Sequence, residues 1–194
     1  MGVTALLGGA FDPPHNGHVA LARAAQERFR PERFLVLVAE RPGHKDVVLD
    51  ADTRLRLARA AFPNLELELD VHARTVDLLE ERLYSEPLVL IGADQFADFL
   101  DWKEPKRVVE LARLGVATRP GYPRADLERV LARLEAPERV EFFEVEPLPI
   151  ASSALRARAA RGESLEPFVP AAVAKIVADE NLYTVGEPRG SEPT

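Results

Sequence analysis

The sequence of 194 residues contains no cysteine. This excludes a disulfide-bonded scaffold, a thiol nucleophile, a cysteine-ligated zinc site and an iron–sulfur cluster. The sequence also lacks any segment that approaches the roughly 20 consecutive apolar residues of a membrane span. Its opening residues have neither the basic start of a signal peptide nor the hydroxyl group of a myristoylation site. We therefore expect a cytoplasmic protein with no membrane partner.

Basic residues are the minority among the charged ones, with 25 Lys and Arg against 32 Asp and Glu and a net charge of -7. Binding to a nucleic acid usually shows as an excess of clustered Lys and Arg, so we expect no nucleic-acid partner. The hydrophobic fraction of 46% is sufficient for a packed core. We expect one domain with C-terminal helices over residues 1–185, followed by an unstructured tail at 186–194 that has almost nothing apolar to bury.

Short apolar runs alternate with segments of helical periodicity along most of the chain. This alternation predicts an α/β fold, namely a Rossmann-like, doubly wound parallel sheet of about six strands with helices on both faces. The predicted strands are 3–7, 34–39, 65–69, 88–92, 114–118 and 140–145. The predicted helices are 18–29, 53–62, 75–84, 104–111, 125–134, 153–160 and 171–179.

The loop from Gly8 to His18 follows the first predicted strand and precedes a helix whose N-terminus favours anions. Gly8 and Gly9 allow the backbone to approach a ligand closely. His15 and His18 are three residues apart, so a helix that begins near residue 16 directs both imidazoles to one point. The pattern favours a phosphate-binding site. A second loop that is rich in Gly, Pro and His, residues 41–45, also follows a strand, where open parallel sheets bind ligands.

A polar turn at residues 150–156 reads Ile-Ala-Ser-Ser-Ala-Leu-Arg. Ser153 is expected to be the N-cap of the late helix, with Ser152 beside it and Arg156 one turn further on. The residues alone are also compatible with an ordinary capped surface helix, and the first loop strengthens the phosphate-binding interpretation.

The first loop resembles the signature of the nucleotidylyltransferase superfamily, Gly-x-Phe-x-Pro-x-His-x-Gly-His, at every specified position from Gly9 to His18. The turn at 150–156 is similar to that superfamily's Ile-Ser-Ser-Thr-x-Ile-Arg, with Ala151 in place of the first Ser. From about residue 6 to residue 183 the chain is most similar to the bacterial nicotinate mononucleotide adenylyltransferases. This similarity includes Ile-Gly-Ala-Asp at 91–94, Trp102, and Val-Ala-Thr-Arg-Pro-Gly-Tyr at 116–122.

The resemblance implies transfer of the adenylyl group of ATP to nicotinate mononucleotide, with Mg²⁺ carried by the ATP phosphates and no metal ligands from the chain. It implies catalytic roles for His15, His18 and Arg156. It implies that ATP is bound by Gly8, Gly9, Phe11, Gly17, Gly92, Asp94, Ser152 and Ser153. It implies that the mononucleotide is bound by Lys45, Thr75, Trp102 and Arg119, with Trp102 stacked on the nicotinate ring.

Several alternatives stay open at this point. Pantetheine-phosphate adenylyltransferases share the first loop but commonly have Thr in place of His15. A nucleotide-binding module without turnover is suggested by Ala10 and Ala151, which stand where a hydroxyl is usual. Cytidylyltransferases fit less well, because their late Arg-Thr-x-Gly-x-Ser-Thr-Thr element is missing. Aminoacyl-tRNA synthetases also fit less well, because the chain is short for tRNA recognition. The choice between acid and amide substrates, to which Arg74 is a hypothetical contributor, is open, as is formation of a homo-oligomer.

Overall fold

A computed structural model of the chain describes residues 2–43 and 46–184. Lys45 and the predicted tail at 186–194 lie outside the described residues. Six strands form one sheet in the order β3-β2-β1-β4-β5-β6, and every neighbouring pair is parallel. The strands are β1 (Thr4–Gly9), β2 (Arg33–Ala39), β3 (Glu66–Asp70), β4 (Pro87–Gly92), β5 (Arg113–Thr118) and β6 (Val140–Glu144). The predicted parallel sheet is confirmed.

Eight α-helices are present in the described part of the chain, and they cover both faces of the sheet. One face carries α1 (Asn16–Phe29), α2 (Ala51–Ala61), α7 (Ser152–Ala160) and α8 (Ala171–Asp179). The other carries α3 (Thr75–Glu81), α4 (Ala93–Ala97), α5 (Pro105–Leu111) and α6 (Arg124–Leu131). Short 3₁₀ helices span Phe99–Asp101 and Pro137–Arg139.

The central strands are buried on both sides, which explains why they appear in the sequence as unbroken apolar runs. In β2, every residue from Phe34 to Val38 is buried. Val36 and Val38 point into the core beneath α1 and α2, whereas Leu35 and Leu37 point into the core beneath α3 to α6. The sheet therefore separates two hydrophobic cores, and each covering helix buries its apolar stripe in one of them.

The strand order changes direction at β1. Strands β2 and β3 lie on one side of it, and β4, β5 and β6 lie on the other. Such a switch point opens a crevice outside the carboxyl ends of the two central strands. Here those ends are Gly9 and Gly92. Among the described helices, none is long and apolar enough to cross a membrane.

Candidate active site

Two histidines meet at the switch point. His15 is the residue immediately before α1, and His18 lies in the first turn of that helix. Their rings stack with centroids 3.7 Å apart, and the Nδ1 of His18 accepts a hydrogen bond of 3.2 Å from the backbone N–H of His15. The predicted convergence of the two imidazoles is confirmed. They line a cleft of about 380 Å³ together with Ala10, Phe11, Asp12, Asp46, Ala151, Ser152, Ser153 and Arg156.

Two glycines in this loop lie tightly against aromatic rings. A Cβ at Gly9 would come within 2.9 Å of the ring of Phe11, and one at Gly17 within 3.0 Å of the ring of His15. Phe11 is buried, and its ring packs edge-on against His18 with centroids 5.1 Å apart. Phe11 therefore supports His18 from within the fold. Gly8 differs, because a Cβ there would meet no atom within 4 Å.

The late polar turn reaches the first loop. Ser152 Oγ donates a hydrogen bond of 3.0 Å to the carbonyl of Pro13, and Arg156 Nη1 donates one of 2.9 Å to the carbonyl of Asp12. The prediction that Ser153 caps the helix is wrong, because the N-cap is Ala151 and Ser153 already lies inside α7. An alanine cap supplies no side-chain acceptor for the first N–H groups of α7, and Ala151, Ser152 and Ser153 all line the cleft.

The N-terminus of α1 is less open than its position suggests. The backbone N–H of Asn16, the first residue of the helix, donates a hydrogen bond of 2.9 Å to the carbonyl of Phe168. Its side-chain Nδ2 donates another, of 2.6 Å, to the carbonyl of Pro167. The segment before α8 thus occupies one of the N–H groups expected to bind an anion and anchors the helix instead.

A buried arginine, to which the sequence assigned no role, fixes the backbone next to the cleft. Arg54 is 1% exposed and donates hydrogen bonds of 2.7 to 3.0 Å to four backbone carbonyls. These carbonyls belong to Ala10, Ala39, Glu40 and Leu49. Burial lowers the pKa of Arg54 from its usual value. A signal was present: Arg54 shares the apolar stripe of α2 with Leu57, Ala58 and Ala61 at helical spacing.

Asp12 was the second residue without an assigned role. Its carboxylate is 2% exposed, and Oδ2 accepts a hydrogen bond of 2.6 Å from the backbone N–H of Val48. This bond ties the first loop to the segment that precedes α2. The sequence did indicate a special position for Asp12, because a carboxylate stands there inside a loop of Gly, Pro and His.

The residues that follow β4 and β5 form a second polar cluster at the same end of the sheet. Asp94, in the first turn of α4, accepts a hydrogen bond of 3.1 Å from the hydroxyl of Tyr122, whose pKa is raised by burial and by this carboxylate. Arg119 lies over the ring of Tyr122 at 5.8 Å. Arg119 and Tyr122 line a larger cleft of about 830 Å³ beside β6, and neither histidine lines it. Arg119 therefore lies in a different cleft from His15 and His18.

Thr75 and Trp102 lie on the face of the sheet covered by α3 to α6. Thr75 is the first residue of α3, and an ion pair of 2.6 Å joins Lys103 to Asp77 in the same helix. This pair links the residue after Trp102 to the first turn of α3. Trp102 is half-buried, and its ring packs on Phe99 with centroids 5.2 Å apart.

The loop before Thr75 is fastened by a histidine. His72 lies between Asp70 at 2.7 Å and Glu81 at 3.0 Å. Arg74 is exposed, and its Nη1 lies close enough to Gly43 that a Cβ there would be 2.9 Å away. The loops that follow β2 and β3 therefore touch at the same end of the sheet.

Comparisons with known proteins agree with this arrangement. The family model described as cytidylyltransferase-like matches residues 6–158. A protein of Thermus thermophilus named "Probable nicotinate-nucleotide adenylyltransferase" is 38% identical over 190 residues, covering 92% of this chain and 97% of its own. A protein of the same name from Thermomicrobium roseum is 36% identical over 197 residues, covering 94% and 92%.

Among solved structures, Plasmodium falciparum nicotinic acid mononucleotide adenylyltransferase in complex with NaAD matches with a TM-score of 0.76. The match has 16% sequence identity and covers 94% of this chain and 98% of that one, and it establishes the shared fold. The chain belongs to the cytidylyltransferase-like family and, within it, to the nicotinate-nucleotide adenylyltransferases.

Proposed function

We propose that this chain transfers the adenylyl group of ATP to nicotinate mononucleotide, giving the deamidated dinucleotide and pyrophosphate, through the cleft between the first loop and α7. One observation carries this assignment. His15, His18 and Arg156, which come from two distant parts of the sequence, line a single cleft at the switch point of the sheet. Such a cluster of imidazole and guanidinium groups suits a polyphosphate.

The reaction needs no nucleophile from the protein. The phosphate oxygen of the mononucleotide is ionised at neutral pH and can attack the α-phosphorus of ATP directly. A bond forms between that oxygen and the α-phosphorus, and the bond from the α-phosphorus to the bridging oxygen breaks, so that pyrophosphate leaves. Catalysis then rests on alignment and on stabilising the charge of the transferring and leaving phosphates.

Each phosphate contact has a place in this scheme. His15 and His18 stabilise the charge that develops around the α-phosphorus. The first N–H groups of α7, Ser153 and Arg156 hold the outgoing phosphates. Magnesium enters with ATP, since it prefers phosphate oxygens and water to dedicated protein ligands. Asp46, an exposed carboxylate on the cleft wall, is available to a water of that ion.

The mononucleotide site is proposed to comprise the loops that follow the carboxyl ends of β2 to β5. Trp102, whose ring is tilted against that of Phe99, is proposed to stack on the nicotinate ring, with Thr75 lining the same pocket. Lys45 and Arg119 are proposed to contact the phosphate and ribose groups. Gly92 and Asp94 are proposed to hold the ATP ribose. Arg74, at the meeting point of two loops, is proposed to favour the acid over the amide.

The test is a steady-state assay of pyrophosphate release with MgATP and three acceptors in parallel: nicotinate mononucleotide, nicotinamide mononucleotide and phosphopantetheine. We expect turnover with the nicotinate substrate, and a fall in kcat of about 10²- to 10³-fold in His18→Ala. Gln26→Ala, which changes an exposed residue of the same helix outside the cleft, is the matched control and should retain most of kcat. Turnover with phosphopantetheine alone would assign the chain to the pantetheine-phosphate enzymes, and no turnover with any acceptor would favour a binding module.

The acid preference has its own test. Replacing Arg74 by Ala should lower the ratio of kcat/KM for the acid to that for the amide, because a cation near the carboxylate is lost. Arg41→Ala, which removes an exposed cation from the neighbouring loop, is the control. An unchanged ratio in Arg74→Ala would remove this residue from the explanation.

A further inference from the structure

The carboxylate of Asp12 is surrounded by donors from three separate parts of the chain. Oδ1 accepts a hydrogen bond of 2.8 Å from the hydroxyl of Tyr183, and Oδ2 accepts the bond from Val48. Arg156 Nη1 lies 3.9 Å from Oδ2 and donates to the backbone carbonyl of Asp12. A buried carboxylate is tolerated only when it is bonded in this way. The position of Asp12 therefore depends on each of these donors.

Arg156 is oriented by the same residue. Its side chain is 20% exposed, and Nη1 is held by Asp12 on the wall of the cleft. A guanidinium has five N–H donors in a fixed plane, so anchoring one nitrogen sets the direction of the others. The contact with Asp12 thus decides how Arg156 faces a phosphate in the cleft.

Tyr183 comes from the last described turn of the chain, 171 positions after Asp12. Burial and the charge of Asp12 raise the pKa of its phenol well above the usual value. The hydroxyl therefore stays protonated and acts as the donor to the carboxylate. Tyr183 is buried, and the wall of the cleft is formed without it.

We propose that Tyr183 is a positioning residue for adenylyl transfer, which acts by holding Asp12 so that Arg156 faces the phosphates. The proposal rests on the proposed function. Without the hydroxyl of Tyr183, one oxygen of a buried carboxylate loses its donor. Arg156 Nη1 already lies 3.9 Å from that carboxylate, and it would turn from its carbonyl contact to a direct ion pair with Asp12. The guanidinium would then be withdrawn from the cleft.

The test is a double-mutant cycle between Tyr183→Phe and Arg156→Lys, read as kcat/KM for ATP at saturating nicotinate mononucleotide. Loss of one hydrogen bond to a charged group corresponds to a change of about tenfold, which we expect for Tyr183→Phe in the wild-type background. In the Arg156→Lys background, which lacks the planar fork, we expect less than about a twofold change. Tyr84→Phe is the matched control, because the buried hydroxyl of Tyr84 makes no hydrogen bond with the described residues.

Two results would overturn the proposal: a kcat/KM for Tyr183→Phe within twofold of that for Tyr84→Phe, or equal losses in both backgrounds. Equal losses would mean a purely structural role. Asp12→Asn gives a second cycle with Tyr183→Phe. With the charge that would draw Arg156 absent, we expect less than about a twofold further loss on adding Tyr183→Phe, and a further tenfold loss would overturn the proposal. Turnover by the wild type in the same assay tests the proposed function separately, so failure of one proposal is distinguishable from failure of the other.

Discussion

The buried guanidinium of Arg54 leads to the strongest stability prediction. Arg54→Met keeps most of the apolar side chain and removes four hydrogen bonds to backbone carbonyls at the ends of β1 and β2 and in the segment before α2. Hydrogen bonds to charged groups each contribute about 1.5 to 3 kcal/mol, but bonds made by one group are not additive.

The expected loss can be bounded by comparison with other buried charges. Breaking a buried ion pair by removing one partner costs about 3 to 5 kcal/mol, and each buried acceptor left without a donor costs about 1 to 3 kcal/mol. A domain is stable by about 5 to 15 kcal/mol in total. We therefore expect Arg54→Met to fold with a free energy of unfolding lower by about 3 to 5 kcal/mol, which is equivalent to a melting temperature lower by about 6 to 20 °C.

The assay is urea denaturation followed by far-UV circular dichroism, with the free energy of unfolding extrapolated to water. Arg59→Met is the control, because Arg59 is an exposed residue of the same helix and its replacement should change the free energy by about 0.5 kcal/mol or less. If the free energy of unfolding falls by the same small amount in both variants, the carbonyl contacts of Arg54 contribute little to stability, contrary to this prediction.

Two glycines and a histidine give the remaining predictions. Gly8→Ala should fold normally, because its Cβ would meet open space, but it should raise the KM for ATP. Gly9→Ala should destabilise the fold, because its Cβ would lie 2.9 Å from the buried ring of Phe11. Equal stability of the two variants would contradict this prediction. Although burial opposes it, the hydrogen bonds that His72 donates to Asp70 and Glu81 raise its pKa. Its contribution to stability should therefore be complete below the unfolded-state pKa of about 6.5 and be lost as the pH rises through the folded-state pKa. Denaturation as a function of pH checks this, and His72→Gln should flatten that part of the profile.

The sheet was predictable because its physical cause is local. Strands buried on both faces give unbroken apolar runs, as in β2, and the alternation with helices leaves few other arrangements. The helix α4 was not predicted, since five residues at a strand end do not show a helical period. The meeting of His15 and His18 could also be predicted, because it depends on spacing within one helical turn.

The contacts that join distant segments could not be predicted from spacing. The bond between Tyr183 and Asp12 spans 171 positions, and no pattern in either segment indicates it. The occupation of the Asn16 N–H by Phe168 is of the same kind. Such contacts depend on how α7, α8 and the segment between them pack beside α1, and this packing is set by the fold as a whole.

The central claim is direct transfer from ATP to a mononucleotide phosphate without a covalent adenylyl-enzyme. Exchange of radiolabelled pyrophosphate into ATP tests it most directly. Direct transfer predicts no exchange when the enzyme is incubated with MgATP and pyrophosphate alone. It predicts rapid exchange once nicotinate mononucleotide is added, because the dinucleotide then forms and the reverse reaction carries the label into ATP. Exchange without a mononucleotide, or none with nicotinate mononucleotide present, would contradict it.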